Sequence, residues 1–326
     1  MAFADAVKPG RAAIDEGANL GLAELASILG VAPNDLPPEC RRRIAERNFS
    51  HRVLAGSERD AILLQAIAAL DADLPVSGPA RIDAWERGWG DICARFEASG
   101  GDPEALWPHY FRPGVMRLRG EYVRPTDPYF ERHFVAVLLA WLAHTELRDV
   151  PTVYEFGCGP GHNLVDLARL LPAARFCGLD WATASQRVVG RLGQVLGRDI
   201  TARRFDMFEP DPELRIEPGA AVLTVGSMEQ LGTRFGAFLE FLHASDASVC
   251  VHVEPLHELY DSDHLLDALA ARYAEKRGYL RGFLPRLREL EAAGEIEIRH
   301  LQRHLGSQFH DGWGTVAWRS LRRRNP

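Results

Sequence analysis

The chain has 326 residues, 46% of them hydrophobic and 25% charged, with a net charge of -7 and a pI near 6.0. That balance is ordinary for a globular protein and excludes the basic footprint of a nucleic-acid binder. Five scattered cysteines without a CxxC pair exclude both a disulfide framework and a cysteine zinc site.

Residues 1–18 carry no apolar run of the signal-peptide kind and read as a disordered tail, and no stretch approaches a membrane span. A cytoplasmic chain with reduced thiols is expected, without membrane or nucleic-acid partners. The arginines Arg322 to Arg324 read as a solvated C-terminus. Residues 19–125 form a mainly helical region. NLGLAELASILG, SERDAILLQAIAALDADL and DAWERGWGDICARFEASGG each carry apolar residues at helical spacing, the last closed by Gly100 and Gly101. The stretch DPEALWPHYFRPGVMRLRGEYVRPTDP is rich in proline, aromatics and arginine and reads as a loop with its own contacts. PYFERHFVAVLLAWLAHTEL is a further helix. From residue 150 the pattern alternates. TVYEFG, ARFCGLD, RRFDMF, AAVLTVG and SVCVHVEP read as five short strands, and NLVDLARLLP and ATASQRVVGRLGQVLG as intervening helices. That predicts βαβ units around a buried parallel sheet. EIEIRHLQRHLG and GWGTVAWRS then read as an antiparallel closing pair turning at SQFHD.

The most informative stretch is VYEFGCGPGHNL, Val153 to Leu164. Glycines between a strand and a helix let backbone N–H groups approach a ligand closely. A dinucleotide fold requires a third glycine where His162 stands, and a P-loop requires a G-K-[ST] that is absent. Glu155 at the strand end repels a pyrophosphate and suits an ammonium group.

E-F-G-C-G-P-G resembles motif I of the class I S-adenosylmethionine (SAM) dependent methyltransferases, an acidic residue followed by G-x-G-x-G. The resemblance extends over about residues 125 to 320. It implies an α/β Rossmann-like fold, with a seven-stranded, mostly parallel sheet and an antiparallel C-terminal hairpin, preceded by the helical cap; residues 126–326 would be the SAM-binding unit. It also implies a cofactor site of Glu155, Gly157, Cys158, Gly159, Gly161, Asn163 and Ser227. Asp180 and Trp181, in CGLDW, take the place of the ribose-binding acid and its neighbour. Asp206 and Met207, in RFDMF, take that of the adenine-binding acid and wall. Each has a plainer reading: a tight turn for the glycines, a helix cap for Asp180, a surface acid for Asp206, core packing for Trp181. Cys158 contributes its backbone N–H and is not expected to be reactive.

The motifs read the cofactor and leave the acceptor open. Open α/β sheets bind ligands beyond the carboxyl ends of their strands. There GSMEQLG offers Glu229, and VHVEPLHELYD offers His252, Glu254, His257 and Tyr260. His252 and Glu254 share one face of a buried strand, as a hydrogen-bonded pair or as catalytic groups. His310 and Asp311 lie in the terminal turn. In the cap, Tyr122 and Arg124 are candidates for substrate or lid contacts. Trp85 and Trp89 are either helix–helix core or, for Trp89 in particular, part of the lid over the sulfonium. No metal-ligand spacing is visible. The leading expectation is methyl transfer to a small-molecule metabolite. Two others stand beside it. One is attack at SAM's γ-carbon with release of methylthioadenosine, as in azetidine-2-carboxylate formation or aminocarboxypropyl transfer. The other is a non-catalytic SAM-binding protein.

Overall fold

The computed structural model describes residues 17–111 and 114–321. The tail expected over 1–18 and the arginines 322–324 lie almost wholly outside these residues. Five parallel strands form the centre: β5 (Thr152–Phe156), β6 (Arg175–Asp180), β7 (Ile200–Arg204), β8 (Ala221–Val225) and β9 (Val249–Glu254). Two antiparallel strands, β10 (Ile296–Arg303) and β12 (Gly314–Ser320), complete a seven-stranded sheet in the order β10-β12-β9-β8-β5-β6-β7. This is the α/β, Rossmann-like arrangement with an antiparallel hairpin. The central strand β5 is buried at every position, as expected of a strand covered on both faces.

On one face lie α5 (Phe130–Thr145), α6 (His162–Leu170) and α7 (Thr183–Leu196); on the other lie α8 (Gly236–Ala244) and α10 (Phe283–Ala292). Buried residues of α5 run around its whole circumference, because it is sandwiched between the sheet and the N-terminal helices. Those helices are α1 (Leu22–Leu29), α2 (Pro38–Ala45), α3 (Gly56–Asp71) and α4 (Ile82–Ala98). One hydrophobic cluster runs without a break from Leu25, Cys40 and Phe96 of the cap to Val153 and Leu223 of the sheet.

The cap contains strands that the sequence pattern did not announce. β1 (Ala18–Asn19), β2 (Ser50–Val53), β3 (Met116–Leu118) and β4 (Glu121–Pro125) join β11 (Leu305–Ser307) in a second, antiparallel sheet of order β1-β2-β4-β3-β11. MRLRGEYVRP is therefore a hairpin and not a loop. It turns at Arg119 (φ 51°) and Gly120 (φ 81°), two left-handed residues that match the twist of paired strands. EIEIRHLQRHLG is likewise two strands: past Arg303 the chain leaves the main sheet, and β11 pairs with β3 of the cap. The third parallel strand ends at Arg204, so Asp206 stands in the loop beyond it.

Four helices went unread in the sequence: α2, α8, α9 (Leu265–Arg277) and α10. A buried ion network ties α9 to both sheets. Arg117 of β3 and Arg303 of β10 both pair with Asp267 and Asp311, with Arg303 2.5 Å from each carboxylate.

A candidate cofactor and acceptor cleft

Between the carboxyl ends of the parallel strands and α4 lies a cleft open to solvent at its mouth. Gly157, Asp180, Trp181, Asp206, Met207 and Ser227 line it, together with Trp85 and Trp89 from the cap. Six of the sequence-predicted cofactor residues thus converge from four strand ends, while Glu155, Cys158, Gly159, Gly161 and Asn163 lie behind or beside the lining.

The glycine turn is built for close approach. Gly157 has φ 68°, and a Cβ placed there would stand 2.3 Å from the Cβ of Ser227. Gly159 has φ 52°, and its Cβ would press on the Trp89 ring at 3.1 Å. Gly161 starts α6 in the left-handed region. Cys158 is buried beneath the turn, and burial raises its thiol well above the ordinary range, so it is no nucleophile.

Behind the turn, Glu155 is 1% exposed. Its Oε1 accepts a 2.8 Å hydrogen bond from Asn163 Nδ2, while its Oε2 and Asn163 Oδ1 have no partner. Burial, opposed by the Asn163 bond and aided by the Asp180 charge, pushes the Glu155 carboxyl up to about 8. Near neutral pH the carboxyl holds its proton; once ionised, its Oε2 and Asn163 Oδ1 are both acceptors that lack a donor, which is costly unless a cationic donor accompanies the ionisation.

Asp180 performs two tasks. Its oxygens accept from Gly159 N at 2.9 Å and Ala182 N at 2.8 Å, which fixes both the glycine turn and the start of α7. It also faces the cleft, and burial raises its carboxyl to about 6. The helix-start role does not exhaust the carboxylate, since each of its oxygens has a second lone pair. Glu86 of α4 reinforces the same helix start by accepting from Thr183 N and Ala184 N at 2.6 and 2.9 Å. Asp206 closes a local turn by accepting from Phe208 N at 2.8 Å. Trp181 and Phe208 stack at 5.9 Å, which makes Trp181 a cleft wall and not solely core. Trp85 and Trp89 stack on each other at 5.2 Å and serve at once as helix packing and as the roof over the glycine turn.

The acceptor-side candidates separate sharply. His252 is wholly buried, with Nδ1 3.0 Å from Thr224 Oγ1 and Nε2 accepting from Trp318 Nε1 at 3.1 Å. An indole only donates, so Nδ1 carries the proton; burial lowers this imidazole to about 3. His252 is a satisfied core residue and not a catalytic group. Glu254, also wholly buried, accepts from Ser227 N at 3.1 Å and so holds the Ser227 loop in place; its Oε2 is unpaired. Burial raises it to about 7. Glu229 is half-buried, bonded to Gln230 Nε2 at 3.1 Å, and raised to about 7 by burial and by Glu254. His257 lies in an adjoining pocket that shares Gln230 and Leu231 with the cleft.

Tyr122 and Arg124 are corrected. Tyr122 packs with Leu54, Ile62, Val115 and Leu266 in a separate cluster, and Arg124 is exposed on β4 opposite Arg52. Neither lines the cleft, because both belong to the cap hairpin. Tyr260 is locked to the backbone of Asp311 and between two guanidiniums, so it and Asp311 serve the ion network. The sequence reading missed Phe205, Phe208, Gln230 and Leu231 as lining residues. Phe208 and Gln230 adjoin motif residues, and that proximity was the available signal. Among the described residues, no group of three or more His, Cys, Asp or Glu is placed to hold a metal ion, and no helix is long and apolar enough to cross a membrane.

No protein-family model and no curated protein matches this chain. Solved structures do resemble it in chain path. An rRNA methylase from Escherichia coli is 11% identical over 91% of this chain and 98% of its own, with a TM-score of 0.43. The methyltransferase domain of bacterial CtHen1 is 17% identical over 55% and 94%, with a TM-score of 0.40. A structure concerned with conversion of a disulfide bond into a thioacetal group during echinomycin biosynthesis is 18% identical over 56% and 81%, with a TM-score of 0.39. At these identities and TM-scores the likenesses say nothing of this chain's activity or substrate.

Proposed function

We propose that this chain is a SAM-dependent methyltransferase acting on a small molecule. The observation that carries the reading is the pair of unpaired acceptors behind the glycine turn, Glu155 Oε2 and Asn163 Oδ1. Together they ask for a cationic N–H donor, which the ammonium of SAM's amino-acid chain would supply. The other groups fit the rest of the same molecule. The first-turn N–H groups of α6 suit its carboxylate. Asp180 suits the ribose hydroxyls, and Asp206 with Met207 and the Trp181–Phe208 pair suits the adenine. The Trp85–Trp89 roof offers aromatic faces to a sulfonium.

Bound there, SAM supplies an electrophilic methyl group. The chain's part is to align it, to exclude water beneath the tryptophan roof, and to manage the acceptor's proton. Glu229, bonded to the cleft-lining Gln230, is the acid on the loop after β8 that stands nearest to that last task. Two features support a small acceptor: the cap overhangs the cleft, and the acidic lining is unsuited to a phosphate backbone.

The test is calorimetric titration with SAM and S-adenosylhomocysteine, followed by mass spectrometry of the protein incubated with SAM alone. Binding of both, with SAM left intact until an acceptor is added, is expected. Absence of binding overturns the cofactor reading. Methylthioadenosine without an acceptor would move the reaction to the γ-carbon, and binding without turnover over a broad panel would mark a non-catalytic SAM-binding protein.

A further inference from the structure

The cofactor cleft has a neighbour of opposite charge. A second pocket adjoins it, with Gln230 and Leu231 as the shared wall. Three segments meet around this pocket: Ser77 of the cap, the loop after β8 up to Arg234, and the turn from Glu275 to Arg281 that ends α9. The cofactor cleft is lined by the acids Asp180 and Asp206 and, among the described residues, by no basic side chain. The lining of the second pocket sets two guanidiniums, Arg234 and Arg281, against one carboxylate, Glu275. Glu229, bonded to Gln230 Nε2, and Glu258, which accepts from Gly282 N at 2.7 Å, stand outside that lining.

Glu275 is already taken, since it pairs with Arg281 at 3.1 Å. Arg234 forms no ion pair among the described residues, and yet it is held in place. Its Cζ stands 4.5 Å from the centroid of Phe208, the ring that also stacks on Trp181 and walls the cofactor cleft. The cap passes close by as well, for a Cβ on Gly78 would lie 3.1 Å from Arg234 Nη2. A ligand that meets a stacked guanidinium spends less on ordering it than one that must first immobilise a free side chain. The planar donors of such a group match the two oxygens of a carboxylate. One positive charge in the lining lacks a counter-charge, and a monoanion balances it, whereas a phosphate dianion would leave a charge over. An ammonium would meet Arg234 and Arg281 as like charges.

We propose that the acceptor is an organic carboxylate: Arg234 holds its carboxylate in the second pocket, its body lies along Tyr279 and Leu231, and the group to be methylated reaches the cofactor cleft past Gln230. This rests on the methyltransferase reading and adds the acceptor's chemical class, with Arg234 as the residue that selects it.

The experiment is a calorimetric titration of the full chain, with and without saturating S-adenosylhomocysteine, using three probes that share a benzyl body: phenylacetate, phenylacetamide and benzylphosphonate. Phenylacetate is expected to bind at least about tenfold tighter than phenylacetamide, as one charge-assisted contact provides, and tighter than benzylphosphonate. Arg234→Gln is expected to abolish the preference for acid over amide. Glu275→Gln releases Arg281 from its ion pair and is expected to tighten phenylacetate by about threefold, the worth of an exposed pair. Both side chains are exposed, so both variants should fold, and opposite effects of the two charge changes are not what a structural role produces. Equal binding of acid and amide, no binding by any probe, a preference that survives in R234Q, or weaker phenylacetate binding in E275Q overturns the proposal. Tighter binding of benzylphosphonate overturns it in favour of a phosphate. Failure of S-adenosylhomocysteine to bind is a separate result: it sinks the cofactor reading, while the titrations without it still read the pocket's preference.

Discussion

Replacing Glu155 by glutamine should move ligand affinity and apo stability in opposite directions. The wild-type carboxyl is raised from 4.5 to about 8 by burial. Between those values the native state holds a proton that the unfolded chain releases, so stability falls as pH rises. The slope reaches about 1.4 kcal/mol per pH unit, or up to about 3 kcal/mol between roughly pH 5 and pH 7. Glutamine does not titrate. Its Oε1 can keep the bond from Asn163 Nδ2, and its new amide donor faces the unpaired Asn163 Oδ1. Glu155→Gln should therefore be less sensitive to pH over that window and more stable than wild type at about pH 8. The same change removes the acceptor charge and points a donor at the ammonium. Loss of a charge-assisted hydrogen bond should weaken SAM by about 1.5–3 kcal/mol, roughly 10- to 150-fold. Urea denaturation at about pH 5.5 and pH 8, with calorimetric titration of SAM, measures both effects. Affinity within about twofold of wild type, or an unchanged pH slope, would refute the reasoning.

Two further substitutions separate binding from structure. Gly157→Ala places a methyl 2.3 Å from Ser227 Cβ at φ 68°, whereas Gly197→Ala at φ 60°, away from the cleft, meets nothing within 4 Å. Backbone strain of about 1–2 kcal/mol is common to both, but only Gly157→Ala should displace Ser227 and lose SAM by at least about tenfold in titration. His252→Leu leaves Thr224 Oγ1 and Trp318 Nε1 without their partner, which should cost about 2–4 kcal/mol in urea unfolding. The SAM affinity of its folded fraction should match wild type, and a selective loss of affinity would restore His252 to the site.

The cleft-lining residues at the strand ends were legible because their information is local. Gly157 and Asp180 each follow a short apolar run, Asp206 follows the next strand, and a parallel sheet brings successive strand ends to one edge. The acceptor half was not, because its answers lie across the fold. Alternation put His252 and Glu254 on one face, but only Trp318, far along the chain, decides that His252 is core. The cap hairpin escaped notice because Arg117 sits at an inward position that an apolar residue would normally mark. It is tolerated there by Asp267 and Asp311, distant partners that no pattern around β3 could reveal. Trp85 and Trp89 share one helix face, a spacing that suits core and pocket wall equally, and the structure uses it for both.

That dual use explains why the cap cannot be treated as a detachable cover. The N-terminal N–H groups of α7 are shared between a carboxylate from the sheet, Asp180, and one from the cap, Glu86. Asp180 also holds the glycine turn, and Trp89 of the same cap helix lies against Gly159. A shift of α4 would therefore uncover the roof and unload one of the two carboxylates at that helix start together. The cost of closing such a cleft lies in its charge. Glu155, Asp180, Glu229 and Glu254 are all raised by burial, so each is held in the folded chain at a penalty when ionised. A cationic ligand relieves that penalty wherever it sits. Acidity of this kind would favour a cationic ligand over a phosphate.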